Sequence, residues 1–204
     1  MKGGVPLKRW TTLLVLLGLG LFSALPAYGA YLPEADYMEQ MIAAAMSGNR
    51  EAGNAAQAAR EEKLSAEGLD YPSVEFEDLF LLSRLIWAEA GSDWLDENWK
   101  MAVGEVALNR VASPEFPDTL AEVLRQPGQY YGSGAYLEYM RPSRASVLAA
   151  KRLLEGERVL NNPAVVFQSN GRQGSGVFLE LRDDALGSTY FCLSNYMGLY
   201  PVTA

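Results

Sequence analysis

The spacing of apolar residues changes near Gly156, and this change limits the folds that the 204-residue chain can adopt. Up to that point apolar residues recur at helical intervals, as they do in amphipathic helices. Beyond it lie short runs that are typical of β-strands, at 164–167, 176–179 and 190–193. Helices followed by short strands predict an α+β fold.

Turn residues, prolines and acidic residues near helix starts set the predicted boundaries. The main domain is predicted to span 74–204, after a helical hairpin or linker at 30–73. Its long loop, 126–139, is rich in Gly and Tyr. The predicted helices are 34–46, 50–66, 76–90, 96–111, 119–124 and 142–156.

The hairpin at 30–73 allows two interpretations. Its second helix is mostly alanine and charged residues with little to bury, which favours a solvated spacer between a membrane and the main domain. Its first helix carries an apolar stripe that includes Met38 and Met41. Because methionine adapts to varied surfaces, the stripe also suggests that residues 31–70 dock onto a membrane or protein partner.

Residues 1–29 are predicted to direct export. Basic residues open the segment, positions 10–25 are apolar and uncharged, and small residues near position 29 offer a plausible cleavage site. An uncleaved membrane anchor is the alternative, although the apolar stretch falls slightly short of the ~17–25 residues that span a bilayer. Either interpretation places the protein outside the cytoplasm.

Composition excludes several kinds of catalytic site. The chain has no histidine and one cysteine, Cys192, which is expected to be a small buried hydrophobe. A Ser-His-Asp triad and a Cys-His pair are therefore impossible, and a zinc site would lack its usual nitrogen and sulfur ligands. The acid–base groups that remain favour carboxylate chemistry on sugars, without a metal or cofactor.

The charge balance excludes another class of partner. The formal net charge is −8, and removal of residues 1–29 would take away three basic residues and no acidic ones. Because phosphate contacts need lysine and arginine, we expect no nucleic-acid binding. An uncharged or zwitterionic glycan remains compatible with this surface.

Glu89 stands out because it ends an apolar helical run on the same face as Leu82, Leu85 and Ile86. That face is predicted to point into the core, where burial pushes a carboxylate toward its protonated form. A neutral Glu near pH 7 is what a glycosidase-type general acid needs. The structural alternative is that Glu89 caps the edge of this face and pairs with a nearby arginine.

The next predicted helix carries Glu105 and, one turn further on, Asn109. A Glu and an Asn that face a core beside the helix of Glu89 could line a cleft and bind substrate. The alternative for Glu105 is an ion pair with Arg84 or Arg110.

Further polar groups lie in the long loop and after the first β-type run. Gln129 and Tyr130 supply an amide and a phenol, and Asn170 belongs to an Asn-Gly pair that is expected to join the first two β-type runs. Small-molecule sites are usually lined by a few polar groups among aromatic rings. We therefore expect Gln129, Tyr130 and Asn170 to position a sugar, against the alternative of an ordinary turn-rich loop.

A series of short motifs runs along about residues 78–195, and their order and spacing are more specific than any one of them. They are Arg84-Leu85-Ile86, Ala88-Glu89-Ala90, Ala102-Val103-Gly104, Leu108-Asn109-Arg110-Val111, Ser113-Pro114, Phe116-Pro117, Thr119-Leu120 and Gln126-Pro127-Gly128-Gln129-Tyr130. Together they resemble the SleB/CwlJ-type cell wall hydrolases, the spore-cortex lytic enzyme family. The resemblance implies a lysozyme-like, mostly helical catalytic domain and peptidoglycan glycan strands as the substrate, in the wall or the spore. It also implies that Glu89 is catalytic, because the family's catalytic Glu sits in such a Glu-Ala pair.

The resemblance further implies lytic transglycosylation, in which one carboxylate acts as general acid and then as base. Ordinary hydrolysis would need a second carboxylate, for which Glu105 is the candidate. A peptidoglycan-binding or spore-structural protein without catalysis is the alternative from another class. The chain departs from the family at Glu105, where members commonly have a small, Asn or apolar residue, and it lacks a His that members can carry near the final strands.

Overall fold

The computed structural model describes residues 33–130 and 135–200, so the predicted export segment at 1–29 lies outside it. Within these ranges no helix is both long and apolar enough to cross a membrane. The helices come first: α1 (Pro33–Ser47), α2 (Arg50–Glu67), α3 (Phe76–Ala90), α4 (Glu97–Val111), α5 (Leu120–Arg125), α6 (Ala135–Tyr139) and α7 (Arg144–Leu154). The strands β1 (Val165–Ser169), β2 (Gly176–Asp183) and β3 (Gly187–Leu193) follow, and a 3-10 turn at Met197–Leu199 ends the described chain.

This order confirms the predicted α+β class, with a helical hairpin, a mostly helical body and a small C-terminal sheet. The prediction of one continuous loop over 126–139 is wrong at its end, where α6 forms a short helix.

Local hydrogen bonds explain where several helices begin. An N-cap side chain accepts a backbone N–H from the first turn in four helices, namely Asn49 for α2, Asp96 for α4, Thr119 for α5 and Ser143 for α7. Each cap of this kind contributes about 1 kcal/mol by satisfying a donor that the helix itself leaves unpaired. These residues were visible in the sequence, which is why the predicted starts of α2, α4 and α5 agree closely with the structure.

The α1–α2 hairpin packs into the same hydrophobic core as α3 and α7. Met38 is 4% exposed and Met41 is fully buried in that core. On α2, Gly53 lies so close to the ring of Phe76 that an added Cβ would overlap the ring. The interpretation of the hairpin as a solvated spacer is therefore wrong, and the methionine stripe is used for packing within the protein rather than left as a docking face.

The sheet is antiparallel, with the strand order β1–β3–β2. β1 therefore pairs with β3, and the Asn-Gly pair at 170–171 does not close a hairpin between β1 and β2. The hairpin instead joins β2 to β3, where the Asp183 carboxylate accepts the backbone N–H groups of Ala185 and Leu186. Cys192 on β3 is fully buried, as predicted.

Packing of α3, α4 and β1 places the ends of α3 and β1 beside one another. On α3, Leu85 and Ile86 are fully buried. Gly104 lets α4 approach closely, because a Cβ there would lie 2.8 Å from Cδ1 of Ile86. One face of the sheet packs against α4 through Phe191 and Val165. This arrangement leaves a cavity where the last turn of α3 meets the sheet.

Candidate functional site

A cavity of about 480 Å³ lies where the C-terminal end of α3 meets α4 and the sheet. Glu89 enters from α3, Val103 from α4 and Thr189 from β3, and the end of β1 contributes Gln168, Ser169 and Asn170. Five of these six side chains carry polar groups, so the cavity suits a hydroxyl-rich or amide-bearing ligand.

Glu89 lies in the last turn of α3 and is solvent-exposed. The prediction that it points into the core is therefore wrong. Its face of α3 carries the buried Leu82, Leu85 and Ile86, but in the last turn Ala90 packs into the core and Glu89 lines the cavity. The carboxylate is thus accessible to a ligand in the structure as it stands.

The structure brings Asn170 together with Glu89, since both line this cavity. The sequence analysis missed Gln168, Ser169 and Thr189 as individual site residues. The polar run after Phe167 was the available signal for the first two. Thr189 was missed because the predicted third β-type run began at position 190, one residue after it.

Gln168 has an unsatisfied polar atom. Its side-chain oxygen Oε1 is buried and has no hydrogen-bond partner within the described residues. Buried polar atoms are nearly always paired, and an unpaired one calls for an explanation. Because Gln168 lines the cavity with Glu89, a hydrogen-bond donor on a bound ligand would supply the missing partner.

Tyr130 is 7% exposed and lies near Glu89. Burial raises the pKa of Tyr130 to about 12, the positive charge of Arg110 opposes the rise, and the negative charge of Glu89 adds to it. Tyr130 therefore stays protonated at neutral pH. Tyr130 lies near Glu89 but does not itself line the cavity.

Arg110 holds a cluster of three aromatic rings together. Its Nε donates to the backbone oxygen of Val166 over 2.6 Å, and its guanidinium lies 4.9 Å from the ring centre of Tyr130. Phe116 and Phe167 lie on the same cation, at 5.0 and 5.8 Å. Contacts of this type stabilise the arrangement by about 0.5–2 kcal/mol each.

Glu105 was predicted to bind substrate, but the structure places it away from the cavity. It is 1% exposed, and its carboxylate accepts three backbone N–H groups, from Val159 at 2.7 Å and from Leu160 and Asn161 at 2.9 Å. It does not line the cavity that holds Glu89, and it pairs with backbone amides rather than with an arginine. Its role in this structure is to hold the segment that follows α7.

Asn109 and Gln129 also lie outside the cavity. Asn109 is 8% exposed, and its side-chain nitrogen donates to the backbone oxygens of Asn162 and Val165, each at 3.0 Å, so it ties α4 to β1. Gln129 is exposed on the surface of the loop. The predictions that these two residues contact substrate are therefore not supported by their positions.

Across residues 33–130 and 135–200, no three carboxylate or thiol side chains lie close enough together to hold a metal ion. The polar groups of the cavity are one carboxylate, two amides and two hydroxyls, a set suited to hydrogen bonding with a neutral ligand.

Residues 96–186 match the family described as Cell Wall Hydrolase. The matched segment contains α4 to α7, β1 and β2 and ends before β3, whereas Glu89 precedes it. The match confirms the resemblance to cell wall hydrolases that the sequence motifs indicated.

No curated protein matches the chain. Among solved structures, the chain is similar to the catalytic domain of the Bacillus cereus SleB protein, with 20% sequence identity and a TM-score of 0.45. The similarity covers 60% of this chain and 92% of that domain.

Proposed function

Because residues 96–186 match the family described as Cell Wall Hydrolase, we propose that this chain cleaves the glycan strands of peptidoglycan, with Glu89 as its general acid and base. The observation that carries the proposal is the position of Glu89 on a cavity whose other polar groups are amides and hydroxyls. Such groups hydrogen-bond to the hydroxyl and N-acetyl groups of sugars, and the carboxylate transfers the proton.

In the proposed reaction, protonated Glu89 donates its proton to the glycosidic oxygen between N-acetylmuramic acid and N-acetylglucosamine as that bond breaks. The resulting carboxylate then removes the proton from the 6-hydroxyl of the muramoyl residue. The 6-oxygen bonds to C1, which closes a 1,6-anhydro ring and returns the proton to Glu89. The products are an anhydro-muramoyl end and a free 4-hydroxyl on N-acetylglucosamine.

A single carboxylate is sufficient for this route because the substrate supplies the nucleophile. Hydrolysis with retention would place a second carboxylate ~5–5.5 Å from the first, and inversion would place it ~6.5–9.5 Å away. Among the described residues that line the cavity, Glu89 is the one carboxylate. Both oxygens of Glu105 are occupied by backbone N–H groups. These observations favour transglycosylation over hydrolysis as the proposal.

Glu89 must be protonated when the bond breaks, yet it is exposed in the free protein. A sugar in the cavity would exclude water from the carboxyl group and favour its neutral form. We therefore expect the bound glycan to create the acid that cleaves it. Gln168 and Asn170 would hold the sugar against Glu89.

The proposal also covers the location of the protein and a partner for its N-terminal hairpin. We propose that the protein is exported, through a cleaved signal or an uncleaved anchor at residues 1–29, and acts on the wall or the spore cortex. A membrane or spore-coat partner that contacts residues 31–70 would use exposed side chains of α1 and α2, because Met38 and Met41 are buried.

The test is mass spectrometry of the fragments that the full chain releases from purified vegetative and cortex peptidoglycan. Anhydro-muramoyl ends are expected, and Glu89→Gln should release at least ~10²-fold fewer of them. Glu62→Gln is the matched control, since Glu62 is an exposed glutamate on α2 and does not line the cavity.

Three other results would contradict different parts of the proposal. Reducing ends would mean that a water molecule attacks, which would overturn transglycosylation but keep glycan cleavage. Equal turnover by the parent and Glu89→Gln would remove Glu89 from the mechanism. Binding to peptidoglycan without release of fragments would favour the wall-binding or spore-structural alternative.

A further inference from the structure

A second cavity, of about 360 Å³, lies beside the N-terminal half of α4 and the outer strand β2. The amides of Asn98 and Asn161 and the guanidinium of Arg158 line it, and Leu179 and Leu181 form its apolar wall. Polar donors and acceptors opposite an apolar surface are the usual composition of a site for a small molecule or a sugar.

The two cavities are neighbours on one face of the sheet. Leu181 of β2, in the second cavity, is the cross-strand partner of Thr189 of β3, in the cavity of Glu89. Side chains of paired residues point to the same face and lie ~4.5–5.5 Å apart at Cβ. On the opposite wall, the consecutive residues Ala102 and Val103 of α4 line the second and the first cavity, respectively. A chain-like ligand held at Glu89 can therefore extend along the sheet into the second cavity.

Arg158 gives the second cavity a positive charge. Its Nη1 donates to the backbone oxygens of Leu153 and Glu157, both at 2.7 Å, and no carboxylate of the described residues forms an ion pair with it. Arg152, on α7, is by contrast paired with both Glu97 and Glu157. Arg158 is exposed, so its guanidinium is accessible to an anionic group on a ligand, and hydrogen bonds between oppositely charged groups are among the stronger ones.

The segment that presents these groups is fixed by the buried Glu105. Its carboxylate accepts the N–H groups of Val159, Leu160 and Asn161. Asn161 has φ +51°, a left-handed conformation that non-glycine residues seldom adopt without support from their surroundings. Glu105 thus acts as a positioning residue that holds the backbone of Asn161, next to Arg158, in place before a ligand arrives.

From this geometry we infer that the second cavity is a subsite for a further sugar of the same glycan strand, and that Arg158 binds a carboxylate on the lactyl or peptide substituent of that sugar. Asn98 and Asn161 would hydrogen-bond to its N-acetyl and hydroxyl groups. The inference rests on the proposed glycan-cleaving function. It adds that strands with free carboxylates are preferred over strands whose carboxylates are masked.

The test compares two glycan strands of equal length, one with free carboxylates on its substituents and one with those carboxylates converted to amides. With the free-carboxylate strand, Arg158→Gln in the full chain should raise KM about tenfold and leave kcat within about twofold. The amidated strand should show no such difference, and Arg158→Lys should restore part of the affinity. Arg182→Gln, which removes an exposed arginine next to Leu181, is the matched control and should match the parent.

An equal KM for the parent and Arg158→Gln on the free-carboxylate strand would overturn the subsite. A second measurement separates this failure from failure of the proposed function. Calorimetric binding of the uncleaved strand to Glu89→Gln, with and without Arg158→Gln, does not require turnover. A roughly tenfold weaker affinity on loss of Arg158 supports the subsite even if the parent cleaves nothing, and an unchanged affinity overturns it even if the parent is active.

Discussion

The backbone N–H of Asn161 donates to Oε1 of Glu105 over 2.9 Å, and Asn161 holds a left-handed φ of +51° at that point. Two further N–H groups bind Oε2 of the same carboxylate. All three donors belong to the segment between α7 and β1. The carboxylate fixes this segment, and so links the stability of the fold to the shape of the second cavity.

Glu105→Gln should therefore destabilise the protein. The amide NH₂ group would face a backbone N–H and leave at least one buried donor unpaired, which should lower the free energy of unfolding by about 2–4 kcal/mol. Urea denaturation measures the change, and the exposed Glu62→Gln should stay within about 0.5 kcal/mol of the parent. In the fraction that remains folded, KM should rise with kcat little changed. A change in stability below about 1 kcal/mol would contradict the role of Glu105 as the anchor of this segment.

Gln168→Leu should separate ligand binding from folding. The Oε1 atom of Gln168 is buried without a partner among the described residues, so its replacement by an apolar group of similar shape should leave the free energy of unfolding unchanged or slightly higher. Loss of one hydrogen bond to the sugar should lower kcat/KM about tenfold. Gln40→Leu, at an exposed position of α1, is the control. Unchanged kcat/KM for Gln168→Leu would show that this oxygen has no part in binding.

We predict that ionisation of the buried Tyr130 phenol lowers the free energy of unfolding at alkaline pH. Burial raises its pKa from 10.0 to about 12 in the folded protein, so the neutral phenol is favoured by folding. Stability from this group is fully present below the unfolded pKa near 10 and is lost as the pH rises through 12. The loss amounts to about 3 kcal/mol for a shift of this size.

Tyr130→Phe should remove that part of the pH dependence. Free energies of unfolding from pH 8 to pH 12 should fall less steeply for Tyr130→Phe than for the parent, and the two curves should run parallel below pH 9. Tyr139→Phe is the control, since Tyr139 is 80% exposed. Identical slopes for all three proteins above pH 10 would contradict the assignment of the alkaline limit to Tyr130.

The sequence predicted the elements of the fold better than the contacts of single residues. Helix starts were accessible because Asn49, Asp96 and Thr119 cap them locally. The strand order was not, since β1 pairs with β3 rather than with the next strand along the chain, and local patterns do not specify a partner strand. Helical periodicity grouped Glu89 with the buried residues of α3, but it could not show that Glu89 itself is exposed and lines a cavity.

The polar residues of α4 also show that the contacts of single side chains are harder to predict than the elements that carry them. Glu105 and Asn109 were correctly predicted to face inward from one helix, and both are buried. Periodicity gives the direction of a side chain and not its partner, however. The partners are backbone groups 53–56 residues further along the chain, at Val159 to Val165, which no local pattern specifies.

Gly53→Ala should show that the α1–α2 hairpin is part of the fold. Alanine normally favours a helix over glycine by about 1 kcal/mol, so a helical glycine needs a reason. Here the ring of Phe76 packs against Gly53, and the backbone N–H of Phe76 donates to the side chain of Gln57 over 2.6 Å. A methyl group at position 53 would push α2 away from α3 and should cost about 1–3 kcal/mol.

The matched control is Asn54→Ala, at the next, exposed position of α2, where the higher helix propensity should leave stability equal or slightly raised. Thermal unfolding measures both variants, and Gly53→Ala should unfold at a lower temperature than the parent. A hairpin that were only a spacer would give the opposite result, with Gly53→Ala as stable as Asn54→Ala or more so. Because α1 and α2 share the core of α3, we expect the loss of stability to appear in one cooperative transition of the whole described fold rather than in a separate early one.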